Sequence, residues 1–115
     1  MRPKLHKAPM RSYAVDGTEF YKLRIDPSGS FVAVCGHDQR VRIIDIISGA
    51  CLAISPARHS AIITALTFTP DCLRLLTACV DGCIFVWKLS NQLTSRMRGR
   101  LDELGLPYSE NPLRN

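Results

Sequence analysis

Short apolar runs broken by polar turns occupy residues 20–89, and a helical spacing takes over only after them. Phe20 to Ile25 has strand character. Asp26-Pro27-Ser28-Gly29 then makes a turn in which Pro pre-sets φ and Gly accepts positive φ. Phe31 to Cys35 is a second β-rich run, and Gly36-His37-Asp38-Gln39 turns the chain again. Val41 to Ile47 alternates arginine with aliphatic residues before becoming apolar. Ser48-Gly49 turns once more, and Cys51 to Ile54 supplies a fourth strand closed by Pro56. A second series follows: Ile62 to Phe68, a turn at Thr69-Pro70-Asp71, Leu73 to Cys79, the hairpin signal Asp81-Gly82, and Cys83 to Leu89. This time no fourth strand comes next. Leu93, Met97, Leu101 and Leu104 instead form a helical stripe, which Ser90 or Asn91 can cap and Gly105 and Pro107 can stop.

The two series are copies of one unit. Leu23 to Ile46 recurs forty-three positions on as Leu66 to Leu89, matching Ile25 with Phe68, Pro27 with Pro70, Asp38 with Asp81 and Ile43 with Val86. A repeat of this length built from short strands is the signature of a propeller blade. Such a unit cannot bury its own faces, so it implies neighbours and a binding role rather than chemistry. The expected fold class is all-β: two four-stranded antiparallel blades of an incomplete β-propeller, followed by a C-terminal α-helix. The expected division is a disordered basic lead (1–12), a degenerate repeat (13–56), a second repeat (57–90), an amphipathic helix (91–105) and a loose tail (106–115).

Composition changes this picture little. The 115 residues allow one small domain, and 46% hydrophobic with 22% charged residues is ordinary for a globular chain. No apolar run reaches the length of a membrane span, and the N-terminus lacks the apolar core of a signal peptide. A soluble, intracellular protein is the expectation. The net charge of +5 is unevenly placed. Arg2, Lys4, Lys7 and Arg11 stand in the lead without an acid, whereas residues 13–89 hold seven basic and seven acidic groups. Binding of nucleic acid or an acidic surface through that lead is therefore an alternative, and the neutral repeats argue against a basic recognition face.

Five cysteines (Cys35, Cys51, Cys72, Cys79, Cys83) raise a metal or disulfide question. The odd count without a secretion signal points to reduced thiols. Cys79 and Cys83 flank Asp81 as cross-strand neighbours, but zinc would need two more ligands, and no second cysteine pair of that spacing exists. Packing as small apolar side chains is the expectation for all five, with no metal and no cofactor.

Asp81 anchors the most informative constellation. Thr77 lies four residues before it, Trp87 six after and His59 twenty-two before. An indole N–H only donates, a hydroxyl and a neutral imidazole do both, and a carboxylate only accepts. A one-way relay from Trp87 to Thr77 to His59 to Asp81 would therefore satisfy every member. The same spacings in the first copy give Asp16, Val34, Asp38 and Ile44, so only the turn aspartate survives there. His37 is out of register, and that blade must rely on Val32, Val34, Val41, Ile43 and Ile46 for packing. A catalytic triad drawn from His59, Ser60, Thr77 and Asp81 lacks a nucleophile elbow, a phosphate-cradling loop and an oxyanion site, and it leaves Trp87 unexplained.

These spacings and residue types resemble the structural tetrad of the WD-repeat (WD40) family over roughly residues 20–89, with FVWKL where that family tends to have Trp followed by Asp. The stretches IDPSG at Ile25 to Gly29, DIISGAC at Asp45 to Cys51 and GCIFVWKLS at Gly82 to Ser90 resemble the terminal blades of the mitogen-activated protein kinase-binding protein 1 family of WD-repeat scaffolds. Arg58-His59 stands where a Gly-His pair is usual. The resemblance implies a non-catalytic scaffold piece of a longer protein, needing further blades or self-association to complete the fold. It further implies a link to MAP kinase (JNK) signalling or to the spindle pole and centrosome, and a cytoplasmic location. A kinase-docking peptide would use Arg98, Arg100, Leu104 and Leu106, although Asp102 and Glu103 oppose an acidic groove and Leu104 also belongs to the helical stripe. A helix packed at the propeller edge is the simpler reading of that segment.

Overall fold

A computed structural model describes residues 19–56 and 59–108 of the chain. The basic lead, Asp16, Arg58 and the end of the expected tail lie outside the described residues.

Turn chemistry sets the strand boundaries. β1 (Phe20–Ile25) runs into a turn organised by Asp26, whose carboxylate accepts from the Ser28 amide at 2.8 Å, the Ser30 amide at 2.9 Å and the Phe31 amide at 2.7 Å. Gly29 sits at φ 76°, the left-handed region that this tight reversal demands. β2 (Phe31–Gly36), β3 (Val41–Asp45) and β4 (Cys51–Ile54) follow, giving an antiparallel sheet in the order β1-β2-β3-β4. Strand three ends at Asp45 rather than continuing to Ile47. The Asp45 carboxylate turns back to accept the amides of Ile47 at 2.9 Å and Ser48 at 3.2 Å.

β5 (Ile63–Phe68), β6 (Arg74–Cys79) and β7 (Ile84–Lys88) form the second sheet, in the order β5-β6-β7. The two units are therefore unequal: four strands and three, not two four-stranded blades, and the described residues do not form a closed propeller. The chain turns into helix directly after β7, so the β7 edge carries no fourth strand among the described residues. In the turn between β5 and β6, Cys72 occupies the place of Gly29 and takes φ 64°, a conformation unfavourable for a residue with a Cβ.

The core lies between the two sheets and beneath the helix. Phe31, Ala33, Cys35, Val41 and Ile43 from the first sheet meet Ile63, Leu66, Phe68 and Leu75 from the second. The strand register places each set on one face: Ala33 opposite Ile43, and Leu75 opposite Trp87. Burying a large aliphatic or aromatic side chain of this kind contributes about 1.5–3 kcal/mol. Polar bonds also join the units. Tyr21 Oη accepts the Ile63 amide at 2.9 Å and donates to Gln39 Oε1 at 2.7 Å, and the His59 amide donates to the Gln39 carbonyl at 2.9 Å.

α1 (Asn91–Glu103) starts at Ser90, whose Oγ accepts the Leu93 amide at 3.2 Å. Leu93, Met97 and Leu101 are buried against both sheets. Leu104 departs from the expected stripe. It is the C-cap residue and lies about half exposed, because the helix ends there and Gly105 turns away at φ 68°. The helix is held by polar ties at both sheets. Arg98 Nη2 donates to the Asp71 carbonyl at 2.9 Å, Thr94 Oγ1 donates to the Cys72 carbonyl at 2.7 Å, and Arg96 Nη2 pairs with Asp45 Oδ2 at 2.9 Å. No helix of the described residues is long and apolar enough to cross a membrane.

Candidate functional site

Three of the four residues singled out by spacing meet in one buried chain. Trp87 Nε1 donates to Thr77 Oγ1 at 2.9 Å, and Thr77 Oγ1 lies 2.6 Å from His59 Nε2. The Thr77 hydroxyl oxygen accepts the indole proton and shares a second hydrogen bond with His59 Nε2, whose donor or acceptor role follows the imidazole tautomer. Strand periodicity explains the meeting. Thr77 on β6 and Trp87 on β7 point to the same face, and β5 brings the segment holding His59 alongside. Phe85 closes the cluster, stacked on the His59 ring at 4.0 Å and edge-on to Trp87 at 5.3 Å. Thr77 and His59 are almost fully buried.

The last link differs from expectation. His59 does not hydrogen-bond Asp81, and its Nδ1 has no partner among the described residues. Asp81 is exposed and accepts instead from the Ser60 hydroxyl at 2.6 Å, the Cys83 amide at 3.1 Å and the Cys79 thiol. The thiol, the Ser60 hydroxyl and the Cys83 amide hold its carboxyl well below the usual carboxylate range. Ser60 was missed as a partner, although its place beside His59 was the available signal. Its hydroxyl donates to a carboxylate and not to an imidazole, which is not the order a nucleophilic triad requires. Burial depresses the His59 pKa, and the Asp81 charge opposes that only in part.

The first copy places different chemistry at the matching positions. Arg42, buried on β3 where the second copy has Phe85, forks onto Asp38 with Nη1 to Oδ1 at 3.2 Å and Nη2 to Oδ2 at 2.7 Å. That guanidinium pulls the Asp38 pKa down. An ion pair thus stands beside the turn aspartate where apolar packing alone was expected. The alternation of arginine with aliphatic residues after Gln39 was its sequence signal.

The residues considered for kinase docking separate. Arg98 is engaged on Asp71 and lies over the Tyr108 ring at 5.0 Å, and Arg100 pairs with Glu103 at 2.9 Å. Leu104 and Leu106 are exposed. The cysteines separate too. Cys35, Cys72 and Cys79 are buried, whereas Cys51 and Cys83 are exposed and do not pack as core residues.

Two surfaces remain open. The outer face of the second sheet shows Ile84 and Val86, and β1 shows Leu23 and Ile25, all more than half exposed. An apolar cleft of about 350 Å³ opens where β4 and β7 meet the start of α1, lined by Leu52, Ile54, Trp87 and Leu93.

Paired antiparallel sheets with a Trp–Thr–His chain in the second repeat define a propeller-type repeat domain. The WD domain, G-beta repeat (WD40) family matches residues 11–45 and 49–88, and the chain belongs to that family. It is 38% identical over 100 residues, or 87% of its length, to WD repeat-containing protein 62 of Sus scrofa, and 38% identical over 89 residues to the Mus musculus protein of that name. Mitogen-activated protein kinase-binding protein 1 of Mus musculus is 43% identical over 137 aligned positions covering 80% of the chain. The chain spans only 6% to 9% of the length of these relatives.

Proposed function

We propose that this chain contributes two terminal blades to a larger scaffold that assembles MAP kinase signalling or centrosomal proteins in the cytoplasm or at the spindle pole. At the coarser level it is a WD40-type protein–protein interaction module, and its fold is a non-catalytic scaffold. The observation that carries the reading is the unpartnered apolar outer face of β7, with Ile84 68% and Val86 60% exposed on a sheet whose other face buries Leu66, Phe68, Leu75 and Thr77. A blade presents such a face to a neighbouring blade, because each repeat completes its core only by stacking. The name of mitogen-activated protein kinase-binding protein 1 states what that relative binds, and it supports the kinase arm of the proposal.

In this reading the boundaries fall at 13–56 and 57–90, and His59, Thr77, Asp81 and Trp87 act as a structural cluster. The docking element narrows to Arg100, Leu104 and Leu106, since Arg98 already serves the helix. The test is co-precipitation of a MAP kinase by the full chain and by its Leu104→Ala/Leu106→Ala variant. Loss of the kinase with the double substitution supports the docking element, and unchanged recovery removes it. Failure of the wild-type chain to retain any MAP kinase removes the kinase arm.

A further inference from the structure

The hairpin between β6 and β7 gathers three metal-ligating side chains. Cys79 Sγ, an Asp81 carboxylate oxygen and Cys83 Sγ all lie within 4.8 Å of one another. The turn that holds them is tightly built. The Cys79 amide donates to the Cys83 carbonyl at 3.0 Å, the Gly82 amide donates to the Cys79 carbonyl at 3.0 Å, and Gly82 adopts φ 90°. All five cysteines are free, so neither sulfur is committed to a disulfide. Beside the turn is an unsatisfied polar atom: His59 is 2% exposed with Nδ1 unpaired, and it is near enough to Asp81 to feel its charge.

We propose that Cys79, Asp81 and Cys83 form a binding site for a thiophilic divalent cation of the zinc class. Two sulfurs and one carboxylate oxygen suit a borderline-soft ion better than calcium or magnesium, which take oxygen ligands. With metal–sulfur bonds of about 2.3 Å and metal–oxygen bonds of about 2.0 Å, tetrahedral donors stand roughly 3.5–3.8 Å apart. To reach that spacing the short Cys79–Asp81 contact opens and Cys83 Sγ draws in, and both Asp81 and Cys83 are exposed at the surface. The cation replaces the proton that now joins Cys79 to Asp81. Each thiol gives its proton to solvent as its metal–sulfur bond forms, so two protons leave per metal bound and nothing is oxidised or reduced. Three protein ligands leave the fourth position to solvent. Counting cysteine pairs alone overlooks such a site, because its third ligand is the aspartate between them.

Cobalt(II) titration of the reduced full chain tests the site. A thiolate-to-cobalt charge-transfer band should rise, saturate at one equivalent and vanish when zinc is added. Cys83→Ser should abolish the band while the far-ultraviolet circular dichroism stays unchanged, since Cys83 is exposed. Cys51→Ser, on β4, should leave the band intact. Asp81→Asn should weaken binding by at least about tenfold, the range that even outer-shell losses produce. Absence of the band, its persistence in Cys83→Ser or its loss in Cys51→Ser would overturn the site, and unchanged affinity in Asp81→Asn would overturn the three-ligand assignment.

Discussion

Thr77 Oγ1 lies 2.6 Å from His59 Nε2, and the same oxygen takes the Trp87 indole proton. One buried hydroxyl therefore bonds two ring nitrogens. Thr77→Val keeps the shape of the side chain and removes both bonds, leaving two polar atoms without partners. The expected cost is about 1–3 kcal/mol, measured by urea unfolding. Asp81→Asn should destabilise less, because Asp81 is exposed and does not bond His59. A larger loss from Asp81→Asn than from Thr77→Val would show that the turn aspartate, not the hydroxyl, carries the cluster.

The His59 pKa is lowered in the fold, chiefly by burial. Its unfolded value is about 6.5. Below that pH the unfolded chain binds the proton more readily than the folded one, so stability is full above about pH 6.5 and falls as pH drops toward the folded value. His59→Gln should flatten the dependence between about pH 7 and pH 5. Denaturation midpoints taken across that window check it, and an unchanged slope in the variant would assign the dependence elsewhere.

The repeat made most of this legible in the sequence. Leu75, Thr77 and Trp87 share a face because strand periodicity is strict, and the Asp81-Gly82 turn fixes the register of the hairpin. Two kinds of information were not local. The apolar stripe from Leu93 announced the helix, but the forty-three-residue echo implied a fourth strand in each unit and could not say what stands at the β7 edge in its place. Asp81 likewise had several donors within reach. Spacing named His59, while the Ser60 hydroxyl and the Cys79 thiol occupy its oxygens. Arg42 was visible as an alternation, yet its pairing with Asp38 depends on a β-hairpin bringing residues four apart together across a turn.

Arg96 joins α1 to Asp45 at 2.9 Å and lies over the Phe31 ring at 4.7 Å. The Arg96 hydrogen bond is the first cause that lowers the Asp45 pKa. With a folded pKa below the unfolded value of about 3.9, Asp45 adds stability above that pH and loses it as pH falls through the folded value. Arg96 is half exposed, so Arg96→Ala should cost no more than about 1 kcal/mol near neutral pH. The share of the difference that comes from the Arg96–Asp45 pair should shrink as pH falls through the folded Asp45 pKa, leaving the Phe31 contact, and acid titration of stability by circular dichroism reads it.

Met97 and Leu104 separate the buried face of α1 from its exposed end. Met97 is fully buried between the sheets, and Met97→Ala should cost about 2–5 kcal/mol. Leu104→Ala should stay within about 0.5 kcal/mol, as expected for a surface position. Thermal unfolding of both variants provides the comparison. Equal losses would place Leu104 in the core and remove it from any docking surface.

Ile84 and Val86 should govern association. They project from the outer face of a sheet whose β7 edge carries no further strand among the described residues, so apolar surface and unpaired backbone groups are presented together. Both features favour joining to another sheet, either a further blade or a second copy of this chain. Ile84→Lys/Val86→Lys places charge on that face while leaving the packed face, with Leu75, Thr77 and Trp87, untouched. Wild-type chain should elute as an assembled or aggregated species in size-exclusion chromatography with light scattering. The double variant should shift toward the monomer mass with its circular dichroism preserved. An unchanged mass distribution would move the associating surface away from β7 and toward the Leu23 and Ile25 face of β1.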